Sequence, residues 1–195
     1  MAGKPRRAAG AAEAAVDRFL RALVPADELA RADVEGTPRR VAEAFRADLL
    51  DGYRMDPAEI LGEAMDVPGR DLVGLAGIDF HSVCPHHLLP YRGRACVAYV
   101  PGGRVVGFGE LARLVDCFAH RLVIQEVLAR QVADALVTHL GARGAACILD
   151  AEQMCLTVRG ERRREARAHT QAFAGVMRRS AAWQGRVLRI AGKGK

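Results

Sequence analysis

Aromatic residues are scarce in this chain of 195 residues, where they make up 5% of the sequence and include a single tryptophan. Nucleic-acid-binding domains usually combine clustered positive charge with aromatic side chains. The chain is basic, with a net charge of +6, but its arginines are scattered apart from the cluster at residues 162–164. We therefore expect no nucleic-acid partner. The charge fits either a solvated surface or a site for a polyanionic small molecule such as a nucleotide.

Long apolar runs are also absent. No stretch of about 18 uninterrupted apolar residues occurs, so the sequence predicts no transmembrane helix. The first seven residues are basic, but an alanine- and glutamate-rich segment follows them instead of the apolar core of a signal peptide. We therefore expect a cytoplasmic protein without a membrane partner.

The cysteine count excludes a simple disulfide framework. Five cysteines are present, an odd number, in a chain that has the character of an intracellular protein. Cys96, Cys117 and Cys147 stand among apolar residues and are predicted to be small core side chains. Cys84 and Cys155 have different surroundings, and they are the candidates for chemistry.

The apolar pattern changes along the chain and predicts its organisation. We expect a disordered tail at residues 1–10, a helical region at 11–70, the main domain at 71–180 and a C-terminal tail at 181–195. Within the main domain, one long helical stretch is predicted at 111–140, with an interruption at 121–126. Strands are predicted at 71–81, 92–100, 104–108, 145–149, 154–158 and 168–177. Because runs of strands are separated from the helices, the order favours an α+β fold over a doubly wound sheet.

The densest group of reactive side chains is Cys84-Pro85-His86-His87. A thiolate and an imidazole at positions i and i+3 can reach one metal ion, and this ligand pair suits zinc. A structural zinc site needs four protein ligands, whereas this chain adds only one further plausible thiolate, Cys155. Three ligands leave a fourth position for water, which is the catalytic pattern. Adjacent histidines in a loop are equally common as surface residues, so the spacing alone leaves the zinc site open.

Two other features suit a purine nucleotide. Arg113 lies in the helical stretch and Arg159 follows Cys155 by four residues, and guanidinium groups match phosphate oxygens bidentately. Glu126, next to Gln125, has a carboxylate that can accept hydrogen bonds from both N1–H and N2–H of guanine. Adenine offers no such edge. Taken alone, each of these side chains is more simply explained as a solvated polar group.

Together these motifs make the sequence similar to the GTP cyclohydrolase I family. The similarity covers about residues 35–178 and keeps the family's order and spacing. The segments that carry it are 37–45 (TPRRVAEAF), 82–90 (SVCPHHLLP), 107–113 (GFGELAR), 125–126 (QE) and 152–160 (EQMCLTVRG).

The resemblance implies a tunnelling fold, an antiparallel sheet backed by helices, which assembles into a homodecamer of two pentamers with sites at subunit interfaces. It implies zinc on Cys84, His87 and Cys155, and a catalytic or substrate-contacting His86. It also implies a guanine anchor at Glu126 with Gln125, and triphosphate contacts from Arg113 and Arg159. The family's reaction is zinc-dependent hydrolysis of GTP at C8, with release of formate and formation of dihydroneopterin triphosphate.

Four departures from the family pattern bear on the reaction. Gln153 replaces a catalytic histidine two residues before the third zinc ligand, and a glutamine side chain is neither an acid nor a base near neutral pH. Glu110 replaces a lysine and reverses the charge where a triphosphate would lie, and Pro85 replaces an acidic residue. The Ser/Thr-rich last strand is replaced by residues 166–171, so Arg167 and His169 are candidates to supply the lost functions.

Three hypotheses follow from these residues. The first is a GTP cyclohydrolase I-type hydrolase. The second is a specialised relative that stops at a ring-opened or deformylated pyrimidine, or that uses a guanine derivative with fewer phosphates. The third is a non-catalytic, zinc-bearing toroid that binds a nucleotide or a protein. Because the metal ligands and the guanine anchor are retained while later steps are affected, the sequence favours an enzyme.

Overall fold

The structure is a computed structural model that describes residues 5–160 and 162–193. It divides into two compact units, Met1–Asp51 and Gly52–Lys195. The sequence suggested a boundary near residue 70 instead. Residues 52–70 belong to the second unit because Ile60 and Leu61 are buried in its apolar core.

The first unit consists of short helices. These are α1 (Pro5–Leu23), α2 (Ala26–Arg31) and α3 (Thr37–Ala44), and a π-helical turn, Phe45–Leu49, follows them. The first four residues of the expected N-terminal tail lie outside the described residues. From Pro5 onward the expected tail is instead part of α1, because its alanines favour a helix and proline is tolerated in a first turn.

The second unit contains the remaining helices and all the strands of the described residues. Its helical elements are a 3-10 turn at Asp51–Arg54, α4 (Pro57–Gly62), α5 (Phe108–Ala119), α6 (Gln125–Thr138), α7 (Met154–Thr157) and α8 (Ala181–Lys193). Its strands are β1 (Met65–Asp66), β2 (Val73–Val83), β3 (Pro90–Val100), β4 (Arg104–Val105), β5 (Gly144–Gln153) and β6 (Ala168–Gly175).

The main sheet has the strand order β2-β3-β5-β6, and every neighbouring pair is antiparallel. The alternation of side chains along each strand gives this sheet two apolar faces. On one face, Val97 and Leu149 pack with α5 and α6 in the larger core. On the other face, Ala98 and Ala146 pack with Val187 of α8. The predicted α+β class, an antiparallel sheet backed by helices, is confirmed.

One predicted strand is wrong. Residues 154–158 alternate between apolar and other side chains, but the structure has the short helix α7 at Met154–Thr157. The last residue of β5, Gln153, already pairs with Tyr91 near the start of β3. Because no partner strand extends beyond β3 at this end, the chain leaves the sheet and forms a helical turn. Cys155 and Arg159 are therefore not on a strand, as the sequence suggested.

The expected C-terminal tail is also wrong, because residues 181–193 form α8. Val187 is fully buried, and Trp183, one helical turn earlier, packs on the same cluster. Ile190 approaches the sheet at Gly74, where a Cβ atom would lie 3.1 Å from the Ile190 Cδ1 atom. The helix thus covers the face of the sheet opposite α5 and α6. Among the described residues, no helix is long and apolar enough to cross a membrane.

Candidate metal centre and nucleotide site

The loop between β2 and β3 is closed by its own backbone. The Cys84 N–H donates to the Leu89 carbonyl at 3.0 Å, and the Leu88 N–H donates to the Cys84 carbonyl at 2.9 Å. Leu88 adopts a left-handed conformation, with φ of 55°, to make this tight return. These contacts hold Cys84 and His87 on one turn, which is how their i and i+3 spacing becomes a shared site.

Sheet pairing brings the third predicted ligand to the same place. Strand β3 pairs Pro90 with Val83 on one side and Tyr91 with Gln153 on the other. Residues that follow β2 and β5 therefore emerge at the same edge of the sheet. One ligand atom each from Cys84, His87 and Cys155 lie within 4.8 Å of one another.

This set of donors fits a zinc ion. Two thiolates and an imidazole are ligands that zinc prefers. A tetrahedral ion with bond lengths of about 2.0–2.3 Å holds its ligand atoms about 3.3–3.8 Å apart, and the three ligand atoms here lie within 4.8 Å of one another. Cys84 is buried, Cys155 is half-buried and His87 is exposed. The cysteine ligands are thus shielded from solvent, whereas the site is accessible beside His87. A metal ion that binds water or substrate at its fourth position needs such access.

The surroundings of Cys155 favour its protonated thiol in the absence of a cation. Burial raises the pKa of the Cys155 thiol, and the neighbouring Cys84 raises it further, while the charge of Arg159 lowers it. Zinc binds thiolates, so binding of the metal releases the protons that this environment retains. The arrangement is therefore better suited to a divalent cation than to a free reactive thiolate.

His86 lies beside the three ligands and is exposed. Its Nδ1 atom is 3.8 Å from the Cys84 Sγ atom, and its ring meets that of His87 edge-on, with centroids 6.3 Å apart. Because Nδ1 is directed to the sulfur, Nε2 is the ring nitrogen left for a substrate or water. Imidazole can gain or lose a proton near neutral pH.

The start of α6 is tied to the same edge of the sheet. The Val123 N–H donates to the Val83 carbonyl at 3.3 Å, and the Tyr91 hydroxyl donates to the Val123 carbonyl at 3.0 Å. These bonds place Gln125 and Glu126 in the first turn of α6 beside the cysteine loop. Glu126 is exposed and so can accept from a ligand.

Gln125 and Gln153 are joined directly. The Gln153 Nε2 atom donates to the Gln125 Oε1 atom at 2.6 Å. Gln125 is only 3% exposed, whereas Gln153 is half-buried. The structure therefore separates two residues that the sequence put together, since Glu126 is open to solvent and Gln125 is enclosed.

Sequence reasoning missed Tyr91, which lies between the cysteine loop and the start of α6. The pKa of its hydroxyl is raised to about 12, chiefly by burial and to a smaller extent by the nearby Cys84 and Glu126, while the hydrogen bond with Ser82 lowers it. The hydroxyl therefore stays protonated and donates a hydrogen bond instead of carrying charge. In the sequence, the position of Tyr91 directly after Pro90 and the cysteine loop was the feature that could have indicated its role.

His169 and Arg167 lie away from this cluster. His169 pairs with Asp150 across β5 and β6, and Arg167 donates to the Asp150 carboxylate at 2.6 Å. Asp150 shares a face of β5 with Ile148, which packs on the α8 side. Gln153 is on the opposite face, where it meets α6. Within one chain, therefore, neither His169 nor Arg167 takes the place of the histidine that Gln153 replaces.

Glu110 lies in the first turn of α5 and Arg113 lies near its middle, whereas the end of α5 leads to the site. At about 1.5 Å per residue, Glu110 is about 14 Å along the helix from Ala119. A carboxylate oxygen of Glu110 occupies the place that a Cβ on Gly107, the N-cap of α5, would take. An acid folded back on a helix N-terminus is favourable for the helix. The structure thus engages the Glu110 carboxylate at the start of its own helix.

A family model and several curated relatives identify the family of this chain. The model of the family described as GTP cyclohydrolase I matches residues 12–192. The GTP cyclohydrolase 1 of Ralstonia nicotianae is 49% identical over 148 residues, which cover 76% of this chain and 71% of that protein. The protein of the same name from Chromobacterium violaceum is 49% identical over 71% of this chain and 68% of its own length. That from Brucella anthropi is 41% identical over 96% of this chain and 87% of its own length.

Proposed function

Because this chain belongs to the GTP cyclohydrolase I family, we propose that it is a zinc-dependent hydrolase that opens the imidazole ring of GTP at C8. The reaction consumes water, releases C8 as formate and ends in dihydroneopterin triphosphate. The observation that carries this proposal is the convergence of Cys84, His87 and Cys155 within 4.8 Å, beside the exposed Glu126.

The protein groups around the metal have separable roles. Bound zinc supplies a water whose pKa is lowered towards neutrality. His86, through Nε2, takes up and returns protons as the ring opens, because imidazole is a side chain that can act as both acid and base near neutral pH. Tyr91 keeps its proton and holds the start of α6 against the sheet through its bond to Val123.

Glu126 recognises the base in this proposal. Its carboxylate accepts hydrogen bonds from N1–H and N2–H of guanine. The attachment of α6 to the sheet fixes the position of this carboxylate and therefore that of the base. Arg159 lies on the same side of the fold, since its charge acts on Cys155, and it binds the nearer phosphate oxygens.

We propose that a second copy of the chain completes the phosphate site. Arg113 is exposed near the middle of α5, about 9 Å along the helix from Ala119 at its end. A homo-oligomer, a decamer by the family pattern, lets the start of α5 from one subunit approach the cysteine cluster of another. In this proposal the enzyme works in the cytoplasm on a guanine nucleotide.

One observation favours a second candidate, an enzyme that stops or slows after ring opening. Gln153 cannot move a proton, and the side chains that the sequence offered as substitutes, His169 and Arg167, are on the other face of the sheet. Deformylation and ribose rearrangement need further proton transfers. Such an enzyme releases a ring-opened or deformylated pyrimidine ahead of the pterin.

Product analysis by mass spectrometry tests both candidates. The zinc-loaded protein is incubated separately with GTP, GDP, GMP and guanosine. Formate with dihydroneopterin triphosphate from GTP supports full turnover, and a formamidopyrimidine or diaminopyrimidine supports the shortened reaction. Unchanged GTP that is nevertheless bound identifies the non-catalytic toroid and rejects both.

We predict that Glu126→Gln lowers kcat/KM for GTP by about 100-fold or more. The amide presents a donor towards guanine, and each donor left unpaired in a desolvated site costs about 1–3 kcal/mol. The loss should be smaller for ITP, which lacks the N2 amine, so the GTP-to-ITP preference should fall. Steady-state kinetics with both nucleotides measure this.

Asp134→Asn, on the same helix α6, is the matched control for that variant. Asp134 is an exposed acid that forms a salt bridge with Arg130 at 3.8 Å, and its amide form should leave the activity towards GTP and towards ITP unchanged. Equal loss of activity towards GTP and ITP in Glu126→Gln would remove the base-recognition role.

We predict that Glu110→Lys increases the preference for GTP over GMP by about 10-fold or more. Like charges about 6 Å apart cost about 3 kcal/mol at an effective dielectric constant of 20, before salt screening reduces this value. Glu110→Gln removes the charge without adding one and should have an intermediate effect. Relative kcat/KM values across GTP, GDP and GMP report the change. If both variants keep the parental ratios, the Glu110 carboxylate acts only on the end of α5 and not on phosphate.

A further inference from the structure

The amide of Gln125 has a fixed orientation. Its Nε2 atom donates to two backbone carbonyls, that of Ala168 at 2.9 Å and that of Leu149 at 3.3 Å. A carbonyl oxygen only accepts, so the nitrogen must face these two groups. Both N–H bonds of the amide are thereby used, and Oε1 is left as an acceptor on the other side.

The orientation of Gln153 follows from that of Gln125. Because Gln125 presents an acceptor, Gln153 must present its nitrogen, and the two atoms are 2.6 Å apart. This distance is at the short end for a hydrogen bond between amides. Gln153 then has its Oε1 atom and one N–H left, in a half-buried position two residues before Cys155.

On the basis of the proposed function, we propose that Gln125 is a positioning residue for the reaction and does not contact the guanine base. Gln125 locks the amide of Gln153 through the Nε2–Oε1 bond, so that Gln153 offers a fixed hydrogen-bond acceptor, its Oε1, at the edge of the metal site. The sequence assigned Gln125 to the base together with Glu126.

Burial and bonding separate the two neighbours. Gln125 is 3% exposed and all its strong polar positions are used within the fold, so a base would have to displace an existing bond to reach it. Glu126 is exposed, and the structure engages it in no comparable network among the described residues. One residue of the pair therefore shapes the site while the other remains for the ligand.

A cycle of Gln125→Met, Gln153→Met and the double variant tests the link in the zinc-loaded protein. Methionine has a similar length but makes no comparable hydrogen bond. Each single variant should lower kcat with GTP by about 10- to 100-fold, because small displacements at a reacting centre have effects of this size. The KM for GTP should stay within about 2-fold, since no base contact is lost. In the Gln153→Met background, Gln125→Met should lower kcat no further.

Gln184→Met is the matched control. Gln184, on α8, also uses its Nε2 atom to bridge two backbone carbonyls, those of Met177 at 3.1 Å and Arg178 at 3.3 Å. Its substitution should lower the melting temperature but leave kcat and KM unchanged. This separates positioning from the general loss of an amide that bridges two backbone carbonyls.

Several outcomes would overturn the proposal. The first is a raised KM together with an altered GTP-to-ITP preference in Gln125→Met. The second is that Gln125→Met lowers kcat by the same factor in the parent protein and in Gln153→Met. The third is a parental kcat in Gln153→Met. If Gln125→Met does not fold, Gln153→Glu replaces it, because this half-buried, isosteric change puts an acceptor opposite the Gln125 Oε1 atom. That variant should show a lower melting temperature and a kcat as low as Gln153→Met, and parental values for both would refute the assigned orientation.

A failure of the proposed function has a different signature. It is seen when the parent protein releases no formate from GTP, whatever the variants do. In that case the melting temperatures of the two single variants and the double variant still test the hydrogen bond between Gln125 and Gln153. A double variant that loses less than the sum of the single losses supports the bond, and additive losses refute it. A positioning role in this reaction would then be rejected together with the reaction.

Discussion

A Cys155→Ala variant is expected to lose its zinc and to release formate from GTP only at background rate. The parent should hold about one zinc per chain, because its ligand set is a single cluster of three side chains. Removing one of two thiolates leaves Cys84 and His87, which are too few to retain zinc against dialysis with a weak chelator. Metal analysis of the purified protein and a formate assay measure both effects.

Cys96→Ala is the matched control for this variant. Cys96 is a buried thiol of β3, and burial raises its pKa to about 11. Cys117 is less suitable, because its sulfur lies 3.3 Å from the Arg121 Nη2 atom and supports local structure. Cys96→Ala should keep its zinc and its activity. Equal zinc content in Cys96→Ala and Cys155→Ala would show that Cys155 is not a ligand.

A Gln153→His variant is expected to speed the later part of the reaction. A positioned acid–base group contributes about 10²–10⁴-fold to a step that needs proton transfer, and glutamine supplies none of this. The parent should therefore release formate faster than it forms pterin. In the variant, an imidazole N–H can donate to the Gln125 Oε1 atom as Gln153 does now, leaving the other ring nitrogen for the substrate. Pterin fluorescence, compared with formate in the same sample, measures the change.

His169→Ala separates this explanation from relocation of the lost histidine. His169 lies beside Asp150, with Nδ1 3.9 Å from a carboxylate oxygen, on the face of the sheet away from Gln153. Its substitution should leave the ratio of pterin to formate unchanged. Stoichiometric pterin from the parent that disappears in His169→Ala would mean that His169, from another subunit, performs the missing step.

Local patterns in the sequence were sufficient where the interaction is local. The period-2 alternation of residues 92–100 predicted β3, and the spacing of Cys84 and His87 predicted two ligands on one turn. The third ligand, Cys155, came from the family resemblance and from elimination among five cysteines. Its convergence with the others depends on the pairing of Tyr91 with Gln153 across the sheet.

Patterns failed where a distant partner decides the outcome. Residues 154–158 have the alternation of a strand, but no strand is available to pair with them beyond β3, so they form α7. Residues 181–195 were predicted to be a tail, but residues 181–193 form α8. Their partner is the second face of the sheet, around Ala98 and Ala146.

The same limit applies to the site. The family resemblance placed Gln125 with Glu126 at the base. Only the three-dimensional contacts show that Gln125 is enclosed by the carbonyls of Leu149 and Ala168. Which face His169 occupies was likewise not decidable before its pairing with Asp150 was known.

The central claim is most directly tested with GTP labelled at C8. The zinc-loaded protein is mixed with the labelled nucleotide, and labelled formate is counted against GTP consumed, with Cys155→Ala as the blank. The account predicts one labelled formate for each GTP consumed by the parent and none above background from the blank. A parent protein that binds both zinc and GTP yet leaves the label in the purine would contradict it.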